Sequence, residues 1–247
     1  MAESLIKSCL FNWLGYGNLN SPIWFIGTEE GGAEVWREKT KSLESSLQIR
    51  SEFDVSMDFY QVWENLYKVD LKNFKGITVW HFIACFLLSW QGKKRTSDNV
   101  RNFIFHDKKL GRLESEHFLC ELFPLPKKSK DSIEDYVHIW PTVKKYQTMV
   151  LPGRFDLITR NLLENKEVKL LVSYERTINN LFLENYRNHK KIDDWAFMKQ
   201  KYSLYKILLN ENRVIFLLAT PFFGQGQISY EGLALAASKA KDIITEN

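Results

Sequence analysis

Apolar residues gather along this chain in two kinds of run. Four are short, nearly continuous and bounded by turn-forming residues, at 23–27, 117–123, 168–174 and 213–220. Such runs are the mark of strands buried on both faces. Elsewhere the apolar positions recur with helical spacing, at 34–47, 57–67, 78–90, 98–105, 155–164, 176–186 and 230–244. Strands alternating with helices predict an α/β fold, a three-layer α/β/α sandwich around a mostly parallel four-stranded central sheet. No repeat or low-complexity tract interrupts the pattern, and residues 1–247 are read as one domain.

In a sheet of this kind ligands bind beyond the carboxyl ends of the strands. The residues just past the four runs are 28–32, 124–128, Glu175 with Arg176, and 221–227. The first exit is the most unusual. The run Trp24-Phe25-Ile26-Gly27 gives way to Thr28, Glu29, Glu30, Gly31 and Gly32. The glycines permit a tight turn, and a loop entering a helix presents backbone N–H groups to an anion. Two adjacent carboxylates would repel a phosphate. They suit a group that becomes positively charged, or a water that must be oriented. The alternative is that both only favour the first helical turn through its dipole.

Composition narrows the classes. With 45% hydrophobic and 26% charged residues the chain can build a substantial core. A net charge of +4 is compatible with nucleic acid without requiring it. The local charge is more pointed, since residues 93–112 hold Lys93, Lys94, Arg95, Arg101, Lys108, Lys109 and Arg112 against Asp98 and Asp107. Lys127, Lys128 and Lys130 form a second cluster. Either cluster suits a phosphate-tracking surface, or simply a solvated loop. Three cysteines without a CxxC pair disfavour a disulfide framework and a four-cysteine metal site. His81, His106, His117, His138 and His189 show no ligand spacing, so no metal or other cofactor is expected. The amino terminus lacks a basic stretch followed by a long apolar one, and the apolar run around 79–90 is too short to span a bilayer. A cytoplasmic protein with no membrane partner is expected.

The stretch WFIGTEEGGAE resembles the first motif of the uracil-DNA glycosylase superfamily, a hydrophobic strand followed by forms such as GQDPY or GEAPGxxE. In that likeness Gly27 takes the leading glycine, Glu29 the Asp/Asn/Ala place, Glu30 the usual proline, Gly31 the next glycine and Glu34 the trailing acid. The fourth exit, Thr220-Pro221-Phe222, stands where the family carries its His-Pro-Ser motif, and the histidine is missing. The second exit places Glu121 where the family has a base-reading asparagine. The iron–sulfur branches need four cysteines, which this chain does not have.

The resemblance implies a monofunctional DNA glycosylase that flips a base out of the duplex and hydrolyses its N-glycosidic bond. Glu29 is then the first candidate to stabilise the sugar cation, with Glu30 second and Thr220 a weak aid to the departing base. Gly27, Thr28, Gly31, Gly32, Glu121, Phe25 and Trp36 would line the substrate pocket. Phe222 and Phe223 would be wedges, with Gln225 and Gln227 as polar companions, and Lys93, Lys94, Arg95, Lys127 and Lys128 would hold DNA phosphates. Because a carboxylate only accepts hydrogen bonds, Glu121 suits a cytosine-type edge with an exocyclic amino group. That reading brings the chain near an anti-phage branch that removes glucosylated hydroxymethylcytosine from virus DNA. DNA is the expected partner, and a monomer is expected. The alternatives are an idle DNA- or nucleotide-binding module of the same fold, a uracil-removing repair enzyme, and a metal-dependent nucleotide hydrolase using Glu29 and Glu30.

Overall fold

The computed structural model describes residues 2–29, 43–50, 53–73, 78–127, 129, 131–224 and 226–246. The four apolar runs fold as β2 (Ile23–Gly27), β4 (His117–Glu121), β5 (Leu170–Ser173) and β8 (Arg213–Ala219). They lie side by side in the order β4-β2-β5-β8 and are mutually parallel. β2 and β5 are buried at every position, as strands covered on both faces must be.

The sheet is larger than the sequence predicts. It is a mixed sheet of eight strands in the order β3-β1-β4-β2-β5-β8-β7-β6, not a four-stranded parallel one. β1 (Gly15–Gly17) pairs antiparallel with β4 and parallel with β3 (Ser56–Met57). Strands of three and two residues are too short to leave a periodic signal. On the other side β6 (His189–Phe197) and β7 (Gln200–Asn210) form an antiparallel hairpin that joins β8. β6 is an edge strand whose charged residues mask any apolar alternation, as exposed edges commonly require.

Helices cover both faces. The connection from β2 to β4 runs across the sheet in one direction and that from β4 to β5 in the other. α3 (Thr78–Trp90) lies in the first connection, with its Phe86 packed on Phe25 of β2, and α5 (Val143–Glu164) lies in the second. α3 packs with the carboxyl-terminal helix α7 (Tyr230–Glu246), and α5 with α1 (Ala2–Phe11) and, through Phe155 and Phe182, with α6 (Arg176–Asn185). The other α-helices among the described residues, α2 (Leu43–Ile49) and α4 (Ser97–Arg101), are short. α5 begins twelve residues before the predicted start at 155 and runs through Pro152.

Arg154 on α5 is fully buried. Its guanidinium donates to the carbonyls of Trp13 (2.6 Å), Glu121 (2.5 Å), Leu122 (3.2 Å) and Leu10. It therefore ties the amino-terminal segment to the carboxyl end of β4. His117, at the other end of β4, accepts a hydrogen bond from the Gly111 N–H at 2.9 Å, and burial pulls its pKa down to about 3. It is a neutral core acceptor. No helix among the described residues is long and apolar enough to cross a membrane.

Candidate functional site

Chain direction fixes where a site can form. The connection leaving β2 turns toward β4, while the one leaving β5 turns toward β8, so the topological switch point, where such sheets bind ligands, lies between the carboxyl ends of β2 and β5. Backbone pairing carries the β2 exit forward as an extension of the sheet. The N–H groups of Leu122 and Phe123 donate to the carbonyls of Gly27 (2.9 Å) and Thr28 (2.7 Å). The Thr28 hydroxyl then donates to Glu175, the residue that follows β5 and precedes α6.

Glu29 comes next, and its carboxylate forms an ion pair with Lys127 at 2.8 Å. The lysine side chain is 2% exposed and the glutamate 18%, so the ammonium is the more deeply buried partner, and the carboxylate oxygen that meets it is buried as well. Lys127 also donates to the Ser129 carbonyl at 3.3 Å. Burial raises the Glu29 pKa above the usual carboxylate range. The hydrogen bond and charge of Lys127 oppose that rise, and the charges of Glu175 and Asp131 add to it. Glu29 is thus a partly desolvated carboxylate with one fixed cation, a state that strengthens its action on any nearby positive charge.

Gly27 is glycine for reasons of space. A methyl group there would lie 2.3 Å from the Tyr174 hydroxyl oxygen and 2.6 Å from Glu121 Oε2. Tyr174 stacks on Phe223 with ring centroids 4.7 Å apart, and burial first, then the Glu121 charge, keeps its hydroxyl protonated. Gly27, Glu121 and Tyr174 therefore pack together at the switch point, with Thr28, Glu29 and Glu175 on its outer side. Among the described residues no three histidine, cysteine or acidic side chains are arranged to hold a metal ion.

Several sequence assignments change. Phe25 and Phe223 are fully buried and pack against Phe86, Phe82 and Tyr174, so neither lines a pocket nor wedges DNA. Thr220 is buried, and its hydroxyl contacts the carbonyls of Pro221 (2.9 Å) and Ser173 (3.3 Å), which leaves no free hydrogen for a departing base. Lys127 serves Glu29 rather than DNA phosphate. Phe222 is 37% exposed and Gln227 is exposed, both in the exit loop of β8. Glu30, Gly31, Gly32, Trp36, Lys128 and Gln225 lie outside the described residues.

Lys93, Lys94 and Arg95 are exposed, but they follow α3 at the amino-terminal end of β4. There Lys93 and Lys94 line an open groove of about 1200 Å³ with Lys108, Lys109 and Arg112. The length of β4, roughly 13 Å, separates that end from Glu121. The groove's other cations are matched by Glu64, Asp107 and Asp58. Neutralising Lys93, Lys94 and Arg95 together is therefore expected to leave both DNA affinity and its salt dependence unchanged. A salt slope lowered by about one unit per removed charge would show that bound DNA reaches this end.

Tyr174 and Glu175 are the residues at the candidate site that residue type alone does not reveal, although the exit rule marks Glu175 by position. No protein-family model matches the sequence, and comparison with curated proteins finds no match.

Proposed function

We propose that this protein is a monofunctional DNA glycosylase of the uracil-DNA glycosylase type, working at the switch point between the carboxyl ends of β2 and β5. The observation that carries this reading is the partly buried Glu29 carboxylate at the β2 exit, held by buried Lys127. Breaking an N-glycosidic bond leaves positive charge at C1′ of the sugar. A fixed carboxylate beside that carbon stabilises the charge and accepts a proton from the water that attacks it, while the base departs with the bonding electrons. Lys127 acts as the positioning residue that keeps Glu29 ionised and aimed. Thr28 and Glu175 order the outer side of the switch point, and Phe222 is the wedge candidate left in the β8 exit loop.

The proposed substrate is a cytosine-type modified base, with glucosylated hydroxymethylcytosine of phage DNA as the leading case. Glu121 supports it, because its carboxylate at the switch point accepts from an amino group and cannot donate to a carbonyl. A mismatched hydrogen bond in a dry pocket costs about 1–3 kcal/mol, or one to two orders of magnitude in selectivity. Weak or absent activity on uracil is expected, and Glu121→Gln is expected to relax the choice. Efficient uracil removal by the unaltered protein would contradict the assignment of Glu121.

The ion pair also suits a binding module in which Glu29 is only structural. Incubation with uracil-containing, unmodified and phage-modified DNA, followed by alkaline cleavage, separates the two. Strand breaks confined to the modified DNA support the glycosylase, and no abasic sites on any of them would leave the binding module.

A further inference from the structure

The β6–β7 hairpin reaches past the sheet on the side where Glu29 and Phe222 lie. Ser203 pairs with Ala219, the last residue of β8, so Gln200, Lys201 and Tyr202 continue β7 beyond it by roughly 10 Å. The far end of this extension, beside the turn, is fixed to the segment that leads from the β8 exit into α7. Gln200 Oε1 accepts from the hydroxyls of Tyr202 (2.9 Å) and Ser229 (3.2 Å), and Ser229 in turn accepts from the Gly232 N–H at the start of α7 (3.1 Å). A methyl group at Gly232 would lie 3.0 Å from the Phe197 ring, so the hairpin and α7 are in close contact.

The tip is at odds with what folding alone would select. Met198 is 83% exposed, the most exposed of the large hydrophobic side chains among the described residues. It also holds a left-handed backbone, φ +54°. Two-residue hairpin turns place glycine or asparagine at such positions, and a methionine there is strained. This side chain buries nothing and fits its turn poorly, so strain and exposure together point away from a structural role. Lys199 and Lys201 beside it are exposed and have no ion-pair partner among the described residues.

We propose that the β6–β7 tip is a second DNA-contacting element, in which Met198 presses on the base stack while Lys199 and Lys201 hold the flanking phosphates. The proposal rests on the DNA-glycosylase reading. Unbranched apolar side chains set among cations are the usual means of unstacking a base step, and the tip stands on the side from which a duplex would approach the switch point. It adds a wedge to Phe222 on a separate element of the chain.

Met198→Gly in the full chain gives the decisive comparison, because it relieves the backbone strain while deleting the wedge. We expect a melting temperature no lower than that of the unaltered protein. Affinity for a plain unmodified duplex should fall about tenfold, and the fluorescence rise of a 2-aminopurine placed in that duplex should be lost. Lys199→Ala combined with Lys201→Ala should lower the salt slope of binding by about two units. Wild-type affinity and fluorescence in Met198→Gly would overturn the proposal, as would binding of the unaltered protein to phosphatidylserine vesicles, but not to DNA, through Met198. Neither readout requires base release. Base excision that ignores Met198 would therefore remove the tip's role alone, and unstacking without excision would remove the glycosylase reading alone.

Discussion

Glu29→Gln is expected to slow base excision by roughly a hundredfold or more while DNA binding survives. The amide matches the carboxylate in shape but carries no charge for the sugar cation and accepts no proton from water. The pH profile should carry the same signature. Excision needs Glu29 ionised, and burial raises its pKa, so activity should fall on the acid side at a pH above that of a free glutamate. Lys127→Met removes the cation that favours the anion, raises that pKa further, and should move the acid limb to higher pH. Lys127→Arg should restore much of it. An acid limb unmoved by Lys127→Met would show that Glu29 does not set the profile.

Arg154→Leu is expected to bring the largest loss of stability. Four carbonyls, those of Leu10, Trp13, Glu121 and Leu122, take their hydrogen bonds from this one buried guanidinium. Orphaning buried acceptors costs about 1–3 kcal/mol each, and partial relaxation should leave a net loss of about 3–5 kcal/mol. That is a large share of the 5–15 kcal/mol typical of a folded domain. Urea unfolding would measure it, and a loss below about 1 kcal/mol would mean that water or a rearranged loop satisfies the carbonyls.

The parallel centre of the sheet was legible because β2, β4, β5 and β8 are largely buried and so read as nearly continuous apolar runs. β6 and β7 were not. Lys190, Lys191, Asp193 and Asp194 cover the edge, and the turn is Met198-Lys199 instead of a glycine pair. The site divides in the same way. Glu29 could be placed from the strand-exit rule, since it depends only on where β2 ends. Lys127 could not, because a buried lysine serving a carboxylate and a solvated one in a basic cluster are spelled alike. Phe222 and Phe223 are neighbours of one residue type, and only the turn after β8 decides that one faces solvent and the other Tyr174. The charge around Lys93 announces exposure but not the end of the sheet on which it falls.

The most direct measurement of the central claim is a single count on DNA carrying glucosylated hydroxymethylcytosine. Free modified base, identified by mass spectrometry, and abasic sites in the same sample are quantified for the unaltered protein and for Glu29→Gln. The account predicts one released base per abasic site with the unaltered protein and at most about a hundredth of that rate with Glu29→Gln. Equal release by the two proteins, or abasic sites without free base, would contradict it.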